Sequence, residues 1–108
     1  MSITFTKMKG QLSKEILEDY AKRAKNTLKE NPSALILGNT GMGLNADYVA
    51  IALHRDYSEY SQFMRDIREY PNVDIDQSQS FVIDLSSKNH LQPLSLHYIA
   101  EYLAKARS

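Results

Sequence analysis

The chain has no cysteine and no tryptophan, and only three prolines and four glycines in 108 residues. The missing cysteine excludes a disulfide scaffold, a thiolate nucleophile and a thiolate metal site, and agrees with a reducing compartment. No apolar run approaches the roughly 20 residues that a membrane helix needs. The first residues carry no basic, apolar and then small-residue cleavage pattern, so we expect a cytoplasmic protein with no membrane partner. Neither sign of charge is in excess, 13 Lys/Arg standing against 13 Asp/Glu. The charge is unevenly spread: residues 1 to 46 hold seven basic against four acidic, 47 to 84 three against eight, and 85 to 108 three against one. An acidic middle and a zero sum argue against direct nucleic-acid binding. At this length one domain with a modest core is expected, its body over residues 1 to 88 and a helical extension over 89 to 108.

Because glycine is scarce, its clustering is informative. Three of the four glycines fall in Gly38-Asn39-Thr40-Gly41-Met42-Gly43. A phosphate cradle needs backbone N–H groups converging at a helix N-terminus, with a cation close by. The residues just downstream, Tyr48-Val49-Ala50-Ile51-Ala52-Leu53, have instead the β-branched, period-two character of a strand, and no Lys or Arg is expected near enough to pair a phosphate. The stretch is therefore expected to connect strand to strand.

Alternation in Ile3-Thr4-Phe5-Thr6-Lys7-Met8 fits a half-buried strand that Gly10 ends. Ser13 offers an N-cap for a helix with apolar positions Ile16, Leu17, Tyr20, Ala21, Ala24 and Leu28, stopped by Asn31-Pro32. Residues 34–37 read as a second strand and 47–54 as a third. Asp56 or Ser58 opens a second helix with the stripe Tyr60, Phe63, Met64 and Ile67, and Pro71 closes it. Residues 81–85 read as a fourth strand with Phe81, Ile83 and Leu85 on one face. A last helix begins near Pro93 to Ser95, with Leu96, Ile99, Leu103 and Ala106 along one side.

Two βαβ units in series build a four-stranded antiparallel sheet with both crossover helices on one face. The expected fold class is α+β, a ferredoxin-like βαββαβ sandwich plus a C-terminal helix. Such a sheet leaves one face uncovered, so homo-oligomerisation is expected, with the last helix docked on its own domain or on a partner.

The ordered series Asp47-Tyr48-Val49-Ala50-Ile51-Ala52-Leu53, then Asp56-Tyr57-Ser58-Glu59-Tyr60-Ser61-Gln62-Phe63-Met64, then Tyr70-Pro71-Asn72-Val73, then Gln79-Ser80-Phe81-Val82-Ile83 resembles the second half of the effector domain, often called RAM, of Lrp/AsnC transcription regulators. Asn31-Pro32-Ser33-Ala34 stands where that family ends its first helix. The first strand begins at Ile3, so the resemblance is to a stand-alone effector domain lacking the helix-turn-helix module. The resemblance implies sheets paired face to face as dimers, dimers assembled into rings, amino-acid effectors bound between dimers beside the glycine hairpin, and a separate DNA-binding regulator as partner. The implied ligand-binding residues are Thr40, Gly41, Gly43, Asn45, Asp47 and Tyr48, with backbone N–H groups receiving a carboxylate and Asp47 an ammonium. The loop departs from the family pattern by holding five residues, Met42 to Ala46, where about two are usual. A simple turn, with Asp47 capping backbone amides at the strand entrance, reads the same residues equally well.

Other chemistry is thin. His54, His90 and His97 lack metal-ligand spacing and read as surface or cap histidines. Asp74, Asp76 and Asp84 read as solvated positions, not as an acid/base pair or a Mg²⁺ site, and Ser86-Ser87 near His90 lacks a supporting carboxylate. The expectation is a non-enzymatic module with no metal and no cofactor. The alternatives are a purely structural assembly protein, or a small dimeric α+β-barrel enzyme.

Overall fold

The computed structural model describes residues 1–10, 13–69 and 75–107. Pro71, Asp74 and the Tyr70 to Val73 segment of the resemblance lie outside them. The elements are β1 (Ser2–Met8), α1 (Lys14–Thr27) with a 3₁₀ turn at Leu28–Glu30, β2 (Ala34–Thr40), β3 (Tyr48–Leu53), α2 (Tyr57–Glu69), β4 (Ile75–Val82) and α3 (Leu96–Arg107). The sheet is antiparallel throughout, in the order β2-β3-β1-β4. This is the ferredoxin-like α+β sandwich.

Local chemistry sets the helix ends. The Ser13 hydroxyl accepts from the Ile16 amide at 3.2 Å, Asp56 Oδ1 from the Glu59 amide at 2.9 Å, and Ser95 Oγ from the Tyr98 amide at 3.1 Å. Each thereby satisfies one of the donors a helix start leaves open.

The central strand β1 decides which side of the sheet is which. Ser2, Thr4, Thr6 and Met8 are buried beneath the helices, whereas Ile3 and Phe5 point to the other side and are only half-buried. Residues directly opposite in a ladder share a face. The pairs Ile3 with Ile51 and Phe81, Phe5 with Val49, and Ile51 with Leu37 therefore form a continuous apolar open face. Ala52 lies on the helix side, where Phe63, Met64 and Ile67 of α2 pack on it, and Tyr20 of α1 is buried farther along the same side.

The hydroxyls on this inner face are satisfied. Thr4 Oγ1 lies 2.9 Å from Ser80 Oγ, which donates to Met64 Sδ at 3.2 Å. Ser2 Oγ is 2.7 Å from His54 Nε2, and Ser33 Oγ is 2.7 Å from His54 Nδ1. His54 is thus no surface histidine but a bridge between β1 and the entrance to β2, with its ring against Tyr60 and Phe63.

Two expectations are corrected. Strand β2 runs to Thr40, because Gly38, Asn39 and Thr40 pair with Ala50, Val49 and Tyr48, and the connection shortens to residues 41–47. The fourth strand is residues 75–82, ending where 81–85 was expected to begin in earnest. Its polar run Asp76-Gln77-Ser78-Gln79-Ser80 hides a strand that lies at the sheet edge and meets Thr4 and Thr6 of β1 through Ser80 and Ser78. The last helix was expected on its own domain or on a partner; against the described residues of its own chain, Leu96, Ile99 and Leu103 of α3 all stay exposed, which leaves the partner half of that expectation. The radius of gyration of 15.2 Å exceeds the ~13 Å of a compact chain near this length, as a projecting helix requires.

Phe63 is 1% exposed, so Phe63→Ala should lower unfolding free energy by roughly 3–5 kcal/mol in urea denaturation, with the cavity preventing full collapse. Burial holds His54 below its ordinary value of 6.5, aided by the Met1 ammonium and opposed by Glu59. The folded state thus prefers the neutral ring. The His54 contribution to stability is fully present above pH 6.5 and is lost as pH drops through the lowered value, because the unfolded chain binds the proton more readily. A His54→Gln variant should show a shallower loss of melting temperature on acidification than the parent.

Candidate functional site

The β2–β3 connection folds back over the end of β1. The Asp47 amide donates to Thr6 O at 2.9 Å, the Gly41 amide to Asp47 O at 3.3 Å and the Ala46 amide to Gly43 O at 3.1 Å. Gly43 takes φ 112°, where glycine alone is at ease. Leu44 and Asn45 also take left-handed values, 53° and 50°. For Asn this is common, but for Leu it costs about 1–2 kcal/mol. An exposed leucine in a strained backbone beside a fully exposed Met42 is an unusual loop tip.

The side chains expected to meet a ligand divide into two groups. Gly41, Gly43 and Tyr48 line a shallow hollow of about 140 Å³ together with Phe5, Leu44 and Val49, at the loop end of the open face. Asn45 and Asp47 are occupied within the chain: Asn45 Oδ1 accepts from Lys7 Nζ, and Asp47 Oδ2 from the Met8 amide, both at 2.9 Å. Thr40 closes the β2–β3 ladder opposite Tyr48, with its amide donating to Asn39 Oδ1 at 2.8 Å. The amides of Met42, Gly43, Leu44 and Asn45 donate to no protein acceptor among the described residues.

Lys7 corrects the expectation that no cation is near the loop. Strand pairing brings it there from 38 positions away in sequence. Phe5 and Val49 were also absent from the expected set, although the parity of β1 and β3 places them on the open face. Met42 and Leu44 carried a signal of their own, since apolar residues in a glycine loop have little reason to face water.

Tyr48 also touches the opposite side of the sheet. Its ring stands edge-on to Tyr20 at 5.2 Å. Burial pushes the Tyr20 phenol up to about 12, against a hydrogen bond with Thr6 that draws it down, and burial raises Tyr48 as well. Both phenols are neutral donors at physiological pH.

Elsewhere two ionisable groups, Asp84 and His97, are tied locally. Asp84 is held below its usual range by the Ser86 hydroxyl and amide, at 2.6 and 2.9 Å, and His97 pairs with Glu101 at 2.9 Å. Among the described residues no three His, Asp or Glu gather as metal ligands, and no helix is long and apolar enough to cross a membrane.

A solved structure shares this fold. It is a transcriptional regulator of Neisseria meningitidis in complex with L-Met, matched at 19% sequence identity and TM-score 0.54. The match covers 91% of this chain but only 57% of the regulator's, so the chain spans little more than half the length of that protein. No family model and no curated protein matches the sequence. At this identity the likeness speaks for the fold alone, the frame on which the hollow and its loop are built.

Asp47→Ala removes the charged acceptor of the Met8 amide at a half-buried position. It should cost roughly 1.5–2 kcal/mol, the lower part of the range for a hydrogen bond to a charged group. Asp47→Asn, which keeps an acceptor, should recover most of that in the same denaturant titration.

Proposed function

We propose that the chain is a small-molecule sensing and self-associating effector module of the Lrp/AsnC type, with no chemistry done on its ligand. Two copies pair through their open sheet faces. A ligand of the amino-acid class then sits at the loop, at a boundary between subunits, and its binding changes the assembly that a separate DNA-binding regulator reads. The observation that carries this reading is the open face itself. Ile3, Phe5, Leu37, Val49, Ile51 and Phe81 form one apolar surface with no element across it among the described residues, and it runs into the hollow at Gly41 and Gly43. A surface of this kind marks an interaction site in a protein that stays dispersed in water.

The loop suits an amino acid through its backbone. Four consecutive N–H groups from Met42 to Asn45 are available to a carboxylate, and Phe5, Leu44 and Val49 offer an apolar wall to a side chain. Thr40, the last residue of β2, adds a hydroxyl next in sequence to Gly41. Asp47 contributes by holding Met8, and its second oxygen remains to meet an ammonium. The similar regulator's complex with L-Met supports the ligand class.

A second reading, an assembly module with no ligand, is favoured by the internal engagement of Asn45 and Asp47. The two readings separate in one pair of measurements. Native mass spectrometry should give a dimer or larger species, and Ile51→Lys on the open face should give a monomer. Calorimetry with L-Met and a panel of other amino acids should register heat at millimolar concentration. A single 12.3 kDa species at tens of micromolar removes both readings, and an oligomer with no heat for any amino acid leaves assembly alone.

A further inference from the structure

A second and larger hollow lies on the other side of the sheet, wholly within one chain. Helix α1 crosses the sheet so that the inner face of edge strand β2 is left uncovered, and every residue of β2 is exposed. The gap measures about 440 Å³, inside the range of small-molecule sites. Its room comes from small residues on three elements: Ala21 and Ala24 of α1, Gly38 of β2 and Ala50 of β3. Its walls are Leu28, Leu35, Phe63 and Ile67.

Gly38 has no backbone reason to be glycine, since its φ is not positive. A Cβ there would meet Leu35 Cδ2 at 3.7 Å and Tyr48 Cε1 at 3.8 Å, ordinary contacts, so a larger side chain would simply fill the space. Glycine inside a strand costs stability and often marks where another group approaches the backbone.

The polar groups of the lining are selective in what they leave open. Ser33 is taken by His54, and Tyr20 by Thr6. The Tyr48 hydroxyl and the Lys25 ammonium have no partner among the described residues, and Lys25 is the single formal charge of the lining. An apolar hollow with one phenol donor and one cation at its edge matches an apolar body ending in an anion.

We infer that this hollow under α1 binds a small apolar acid, an aromatic or branched aliphatic monocarboxylate, with its body between Ala24, Gly38 and Phe63 and its carboxylate toward Lys25 and Tyr48. The site is separate from the loop site, lies on the opposite face of the sheet and needs no second subunit. Its contact with the loop site runs through Tyr48, which lines both hollows.

The test uses the full chain and two probes, 3-phenylpropanoate and the uncharged 3-phenylpropanamide, followed by NMR shift perturbation. The acid should move resonances of Tyr20, Ala24, Leu28 and Tyr48 saturably in the millimolar range, and bind more tightly than the amide. Gly38→Val and Ala24→Leu, which fill the hollow from the strand and from the helix independently, should each weaken binding about tenfold while keeping the dispersed spectrum of the parent. Lys25→Gln should abolish the preference for acid over amide and leave amide binding unchanged. No saturable shift, shifts confined to residues 41–46 or to α3, or undiminished binding in both folded filling variants would overturn the inference.

Discussion

Everything in this small domain depends on the parity of β1. As one of the two central strands of a four-stranded sheet it has one face under two helices and one face open, and its hydroxyl residues Ser2, Thr4 and Thr6 are on the covered side. A buried hydroxyl is costly without a partner and nearly neutral with one. The rest of the inner layer answers that demand: Ser80 and the Met64 sulfur serve Thr4, His54 serves Ser2, and Tyr20 serves Thr6. The helix-side core is correspondingly lean, with the apolar load carried by Phe63, Met64, Ile67 and Ala52.

The opposite parity is then fixed as well. Ile3 and Phe5 must point away from the helices, and β3 matches them in register with Val49 and Ile51. The domain is therefore more apolar at its open face than a lone copy in water would favour. The same register carries Lys7 to the open-face end of β1, where it bonds Asn45, while Asp47 ties the Met8 amide. The strained, apolar loop tip at Met42 to Leu44 is thus pinned at the margin of the open face.

Much of the architecture was legible in the sequence because it depends on local signals. Ser13, Asp56 and the Asn31-Pro32 pair bound helices through caps and backbone restriction, which act over a few residues. The periodicity of Phe63, Met64 and Ile67 marked the buried stripe of α2. The readings that failed involved partners distant in the chain. β4 was hidden because its serines and glutamines make sense only opposite the threonines of β1. Lys7 was missed because 38 residues separate it from Asn45. Of the expected loop residues, Gly41, Gly43 and Tyr48 line the hollow, whereas Asn45 and Asp47 serve the fold through bonds no sequence spacing reveals.

The order of elements, the helix limits and the alternation of β1 into an apolar and a hydroxyl set follow from local sequence alone, since each of these rests on neighbours within a turn or a pleat. Local sequence did not determine which set the helices would cover. That choice depends on whether Thr4 finds Ser80 and Met64 across the sheet and whether His54 reaches Ser2, contacts between residues 52 to 76 positions apart. Only the tertiary structure turned Ile3 and Phe5 outward, because a strand's period of two is indifferent to side until its partners are in place.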